Sequence, residues 1–143
     1  MKKLFLKIRG LLMQVADLKY VSWDLGQLEQ EMPPVQYPCA LFTIAYVKCS
    51  DTQDGDQRVK AVITIRIAFN TTMDRTSSNF SDHAADIALS CLDTVESVYS
   101  KLQSYWDDEV EQLSRVSQTQ ERRNDKLTVI AMPFETEFDE VAS

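Results

Sequence analysis

The chain has 143 residues, 44% of them hydrophobic and 26% charged, with 22 Asp and Glu against 15 Lys and Arg, for a formal net charge of -7. A chain this long hides roughly 70% of the surface it exposes when unfolded, so residues 1–143 read as a single folded α+β domain and not as a disordered one. The acidic balance excludes indiscriminate binding to a phosphate backbone, although an acidic wall would still let DNA slide past it.

In chain order, Leu4, Phe5, Ile8, Leu11, Leu12 and Val15 recur at helical spacing and predict an amphipathic helix over residues 2–16. Its basic residues would suit a membrane surface, but a helix laid over a sheet has the same pattern, and no membrane partner is expected. Met1-Lys2-Lys3-Leu4-Phe5-Leu6 looks superficially like a secretion signal, yet Lys7 and Arg9 break the apolar run and no small-residue cleavage site follows. The expected setting is the cytoplasm. Leu18–Asp24 predicts a short strand. Leu25–Pro38, stiffened by Pro33, Pro34 and Pro38, predicts a connection along the surface.

Cys39–Lys48 and Arg58–Phe69 predict two long strands joined as an antiparallel hairpin by the polar stretch Cys49–Asp56. The second strand alternates cleanly. Val59, Ala61, Ile63, Ile65, Ile67 and Phe69 share one face, and Arg58, Lys60, Thr64 and Arg66 the other. A polar loop follows over Asn70–Asn79. Ser81 with Asp82 is placed to cap a second helix, whose stripe is Ala84, Ile87, Cys91, Val95, Val98 and Leu102. Leu113–Arg122 predicts a strand, Asn124-Asp125 a turn, and Leu127–Phe138 a last strand in which Pro133 implies a bulge or an edge position. The order is α-β-β-β-α-β-β, with both helices on one face of a mostly antiparallel sheet.

Residues that carry chemistry are sparse. The one histidine, His83, falls in the first turn of the second helix, no serine or cysteine sits in a nucleophile elbow, and three glycines cannot build a phosphate loop. Cys39, Cys49 and Cys91 have neither disulfide-framework nor zinc spacing and read as buried small hydrophobes. If Gly55 held the glycine position of a calcium loop, the first and last ligands would be Ser50 and Ala61, which fails. Asp107, Asp108, Glu109 and Glu111 read as solvated surface. No enzyme activity, metal or other cofactor is therefore expected. The basic face of Arg58, Lys60 and Arg66 is either solvated or a subunit contact. Arg122 and Arg123 pose the same choice, and the loop with Asp51, Asp54 and Asp56 reads as mobile until a partner orders it.

The N-terminal helix, Tyr20-Val21-Ser22-Trp23, the run Met32-Pro33-Pro34-Val35-Gln36-Tyr37-Pro38-Cys39-Ala40-Leu41, the long hairpin, the Ile87–Leu102 helix and the close Glu121-Arg122-Arg123-Asn124-Asp125 with Leu127-Thr128-Val129 follow one another in a telling order. Together they resemble the tail-terminator proteins of long-tailed bacteriophages and related tail-completion proteins of prophages, over nearly the whole chain. The resemblance implies an α+β subunit that forms a homo-oligomeric ring, usually of six copies, at the head-proximal end of the tail tube. Such a ring stops tube polymerisation and joins the tail to the head–tail connector. Its partners would be the tail tube protein and the connector, with DNA passing through but not specifically bound. Its place would be the virion neck, after assembly in the host cytoplasm. Two other readings stand beside it: a different neck, head-closure or tube-like structural protein, and a small enzyme or regulator using a helix–sheet cleft.

Overall fold

The computed structural model describes residues 1–71 and 82–142. In chain order it has α1 (Lys2–Leu12), β1 (Tyr20–Trp23), a 3-10 turn (Gln27–Glu29), β2 (Cys39–Asp51), β3 (Gln57–Asn70), α2 (Asp82–Leu102), β4 (Ser114–Arg115), β5 (Thr119–Gln120) and β6 (Leu127–Glu140). The fold is α+β. A six-stranded sheet runs β1-β2-β3-β6-β4, with β5 also on β6. Pairing is antiparallel throughout except for β1 beside β2.

Strand β3 is central because both of its neighbours are long enough to flank it. It pairs with β2 from Gln57 to Ala68 and with β6 from Gln57 to Asn70. Its two-residue repeat works as the sequence predicts: Val59, Ala61, Ile63, Ile65 and Ile67 are fully buried and Phe69 nearly so. They meet Ala40, Phe42 and Ile44 of β2, Met132 and Phe134 of β6, and both helices in one core. From α1 come Leu4, Ile8 and Leu12, so its apolar stripe is spent on the sheet. The helix ends at Leu12, short of the predicted residue 16. Gln14 and Val15 there donate to carbonyls three residues back, tightening the turn toward β1, and Val15 stays buried. From α2 come Val95, Val98 and Leu102, while none of Ala84–Leu92 is buried.

The opposite face is covered in part by the proline-bearing connection, which does more than cross the surface. Leu28, with Val35 and Tyr37, lies over Cys39, Leu41, Ala68, Leu127 and Val129. Gly26 opens the 3-10 turn at φ 85, a backbone region that disfavours side chains. The buried Gln27 amide is satisfied locally, accepting from Leu25 N at 2.7 Å and donating to Trp23 O at 3.0 Å.

The strand predicted over Leu113–Arg122 is broken into β4 and β5, and Pro133 accounts for the break. The Pro133 carbonyl accepts from Val116 N at 2.8 Å, so the proline nitrogen faces the same outer side and offers it no N–H. Toward β3 the register continues unbroken through Thr64 and Pro133. The proline therefore needs no bulge, only an outer neighbour with a gap. Cys39 is buried as expected, but Cys91 is only partly covered and Cys49 is exposed at the bulged end of β2. Most of the Asn70–Asn79 loop, the Ser81 cap and the His83 side chain lie outside the described residues.

Leu28 is 1% exposed and Leu25, three residues earlier, is 74% exposed. Leu28→Ala is expected to cost about 2–4 kcal/mol and Leu25→Ala less than about 0.5 kcal/mol, read from urea unfolding midpoints at constant slope.

Candidate interface

The outer face of β3 carries the basic residues singled out in the sequence, and the strand repeat delivers them to one side. The same repeat in Phe134-Glu135-Thr136-Glu137-Phe138-Asp139 turns the acidic side chains of β6 to that side, and the register sets Lys60 beside Glu137 and Arg58 beside Asp139. Arg58 donates to Asp139 Oδ1 at 3.1 Å and pairs with Glu111, while Lys60 Nζ lies 3.9 Å from Glu135. These pairs are open to solvent and contribute little to stability. The acidic partners were legible in the alternation of the last strand but were not singled out from it.

Arg66 stands apart from the other two. Its Nε and Nη2 donate to both oxygens of Glu121, at 2.8 and 2.7 Å, and Nη1 donates to Glu29 at 2.9 Å and Asp24 at 3.2 Å. The side chain is 15% exposed, and the hydrogen bond to Glu121, ahead of the opposing effect of burial, raises its pKa further above the ordinary arginine value. Arg123 completes the cluster by donating to Leu28 O at 2.8 Å, Asp125 at 2.6 Å and Glu29 at 3.3 Å. Together the two guanidiniums tie the Asp24–Glu29 stretch to the sheet. Nothing in the local sequence pairs Arg66 with carboxylates 37 to 55 positions away. Arg122, next in chain to Arg123, is exposed and has no partner among the described residues.

The hairpin tip carries Asp51, Asp54 and Asp56. Strands β2 and β3 run further than predicted, leaving only Thr52–Asp56 as the loop. Asp54 and Gly55 both adopt positive φ. The Asp56 carbonyl accepts from Thr52 N at 2.9 Å, Asp56 N donates to Gln53 O, and Asp56 Oδ1 accepts from Ala142 N at 3.0 Å. These bonds close the tip on itself and onto Ala142. Asp51 and Asp54 are exposed, and Asp51 Oδ1 accepts from Gln57 Nε2 at 2.9 Å.

Beside this end of the sheet lies a cleft of about 940 Å³, lined by Leu4, Lys7, Tyr46, Val110 and Phe138, with the 68%-exposed Trp106 at its rim. Several of its charged groups are engaged, Lys7, Arg58 and Asp107 among them. Asp107 accepts from Lys7 Nζ at 2.7 Å, from the Tyr105 hydroxyl at 3.0 Å, and from Glu109 N and Val110 N at 2.8 and 2.9 Å. Burial alone would raise the pKa of this carboxyl, but the bonds from Lys7, the two backbone N–H groups and Tyr105 outweigh it and hold the value at about 2. Such a group neither gives nor takes a proton near neutral pH. The acidic run is dispersed, with Asp107 and Glu109 on Lys7 and Glu111 on Arg58. Among the described residues, no three His, Cys, Asp or Glu side chains are grouped to hold a metal ion, and no helix is long and apolar enough to cross a membrane.

No protein-family model matches this chain, and no curated protein matches it. Among solved structures, a chain from the virion of a native gene transfer agent (GTA) particle aligns with 93% of this chain and 84% of its own length, at 9% sequence identity and a TM-score of 0.49.

The two ion-pair clusters make separable predictions. Arg66→Ala leaves Asp24 without its cation, and Glu29 and Glu121 with only Arg123, at 3.3 and 3.6 Å; it is expected to lower unfolding free energy by about 3 kcal/mol, measured by denaturant titration. Asp107 has a folded pKa of about 2 against an ordinary 3.8, so its contribution is complete above about pH 4 and is lost as pH falls toward 2. Asp107→Asn should therefore melt below the unsubstituted chain at pH 7, with the gap closing on acidification to pH 2.

Proposed function

We propose that this chain is a structural subunit of a bacteriophage-type virion that closes into a homo-oligomeric ring of six copies on the head-proximal end of the tail tube. In this role it ends tube polymerisation as a tail terminator and joins the tail to the head–tail connector. The observation that carries the reading is the ordered, nearly full-length resemblance of its elements, from the N-terminal helix and Tyr20–Trp23 through the proline connection and long hairpin to the closing strand. Residues 1–143 act as one domain, without catalysis or cofactor. The partners are further copies of the chain, the tail tube protein and the connector, and its location is the virion neck after assembly in the host cytoplasm.

On this reading the contact surface draws on Asp51, Asp54 and the half-buried Asp56 at the hairpin tip, on the lightly paired Lys60 and Arg58 of the outer face, and on Arg122. Arg66 and Arg123 act behind it by holding the connection in place. Charges at the rim of an interface govern association more than folding, and the net charge of -7 suits a conduit that DNA traverses without sticking.

Light scattering of the purified chain, alone and with tail tubes, tests the proposal. The expected result is a defined ring that binds tube ends and blocks their further growth. A chain that stays monomeric at high concentration and ignores tube ends would defeat it. A ring that forms without binding tubes would move the chain to another neck or head-closure position. Turnover of a small molecule abolished by His83→Ala would replace the structural reading with an enzymatic one.

A further inference from the structure

The two outer edges of the sheet are finished differently. On one side, β6 is covered along most of its length by the segment that precedes it: Glu111 N donates to Glu137 O, β4 and β5 pair with it, Val116 N donates to Pro133 O, and Glu121 N donates to Val129 O. On the other side, β1 has only four residues and covers β2 from Cys39 to Phe42. Beyond that point β2 runs on to Asp51, with no neighbour on this side among the described residues.

The uncovered stretch is chemically suited to pairing. Phe42 O accepts from Asp24 N on the open side, and strand alternation turns the peptide groups of Ile44 and Tyr46 the same way. Thr43 and Ala45 are exposed, and Val47 is 55% exposed at the bulge between Tyr46 and Lys48. Small and β-branched side chains of this kind fit against a further strand. The bulge and Lys48 limit how far such a strand could run, which guards an edge against indefinite stacking.

We propose that the β2 edge from Thr43 to Asp51 pairs with residues 114–120 on the opposite edge of a second copy, extending the sheet from one subunit to the next. Charge favours a second copy as the occupant. Among the described residues, the β2 edge leads into Asp51 and the unpaired Asp54, while the 114–120 segment contains Arg115, exposed though its guanidinium lies over the Tyr99 ring and donates to Gln118 Oε1 and its N–H donates to Gln103 Oε1, and is followed by the exposed, unpartnered Arg122. Its own outer side shows Val116 at 56% exposure. Because the two edges differ and lie at opposite ends of the strand order, the contact is head-to-tail, and one kind of interface closes a ring when its rotation divides the circle. The inference rests on the ring proposed above and supplies its contact.

The test follows the full chain through assembly by light scattering and segment-resolved hydrogen exchange. The expected result is that amides in 43–51 and 114–120 gain at least about tenfold protection as the oligomer forms. Ala45→Asp with Val47→Asp, both at exposed positions, should leave the melting temperature unchanged and the chain monomeric, and Thr43→Lys should weaken assembly in the same direction. A ring whose 43–51 and 114–120 amides exchange as in the monomer, or one that the substituted chains form as readily, overturns edge pairing and leaves the ring reading standing. A chain that forms no oligomer at any concentration overturns both.

Discussion

Strand β3 is hydrogen-bonded along nearly its whole length on both sides, and its neighbours are equally long. A slip of one residue in either register would turn Ile63, Ile65 and Ile67 into water and bring Arg58, Lys60 and Arg66 under the helices. That constraint sets the rest of the molecule. It gives α1 and α2 one apolar surface to share, and it lines up the basic side chains of β3 with the acidic ones of β6. It also leaves the far side of the sheet needing a cover of its own, where Cys39, Leu41, Ala68 and Val129 would otherwise face solvent.

The second cover is thin, and charge holds it down. Leu28, Val35 and Tyr37 bury only a small apolar area, with no helix behind them. Arg66 and Arg123 add clamps of fixed geometry, since a planar guanidinium can hold two or three carboxylates in set directions in a way a lysine cannot. The connection thereby gains a defined path over the sheet. The cost is that two of the most conspicuous basic residues are no longer free to meet a partner.

What remains outward among the described residues is an acidic hairpin tip, a few lightly paired charges, an open strand edge and the only partly buried stretch Ala84–Leu92 of α2. In the cleft beside the hairpin, Lys7 and Asp107 satisfy each other, and the bonds to Asp107 keep its carboxylate ionised. The edge-pairing proposal draws on the open strand edge, and the ring proposal on the ordered resemblance of the elements.

The sequence by itself determined the α1 stripe, the second half of the α2 stripe, the central alternating strand, the hairpin and the fold class, because those signals are periodic and local: a two-residue or 3.6-residue repeat states which face is buried. Pro133 likewise announced a position without a ladder donor. Only the tertiary structure decided that α1 stops at Leu12, that Leu113–Arg122 is two short strands, and that the proline connection buries Leu28. Each depends on what lies across the sheet and not on neighbours in the chain. The same holds for the charges. The pattern put Arg58, Lys60 and Arg66 on one face, but which of them stay outward was set by carboxylates brought from Asp24, Glu29, Glu111 and Glu121 by the fold. Distance along the chain hides such partners, because an ion pair needs only proximity in space and leaves no repeat to read.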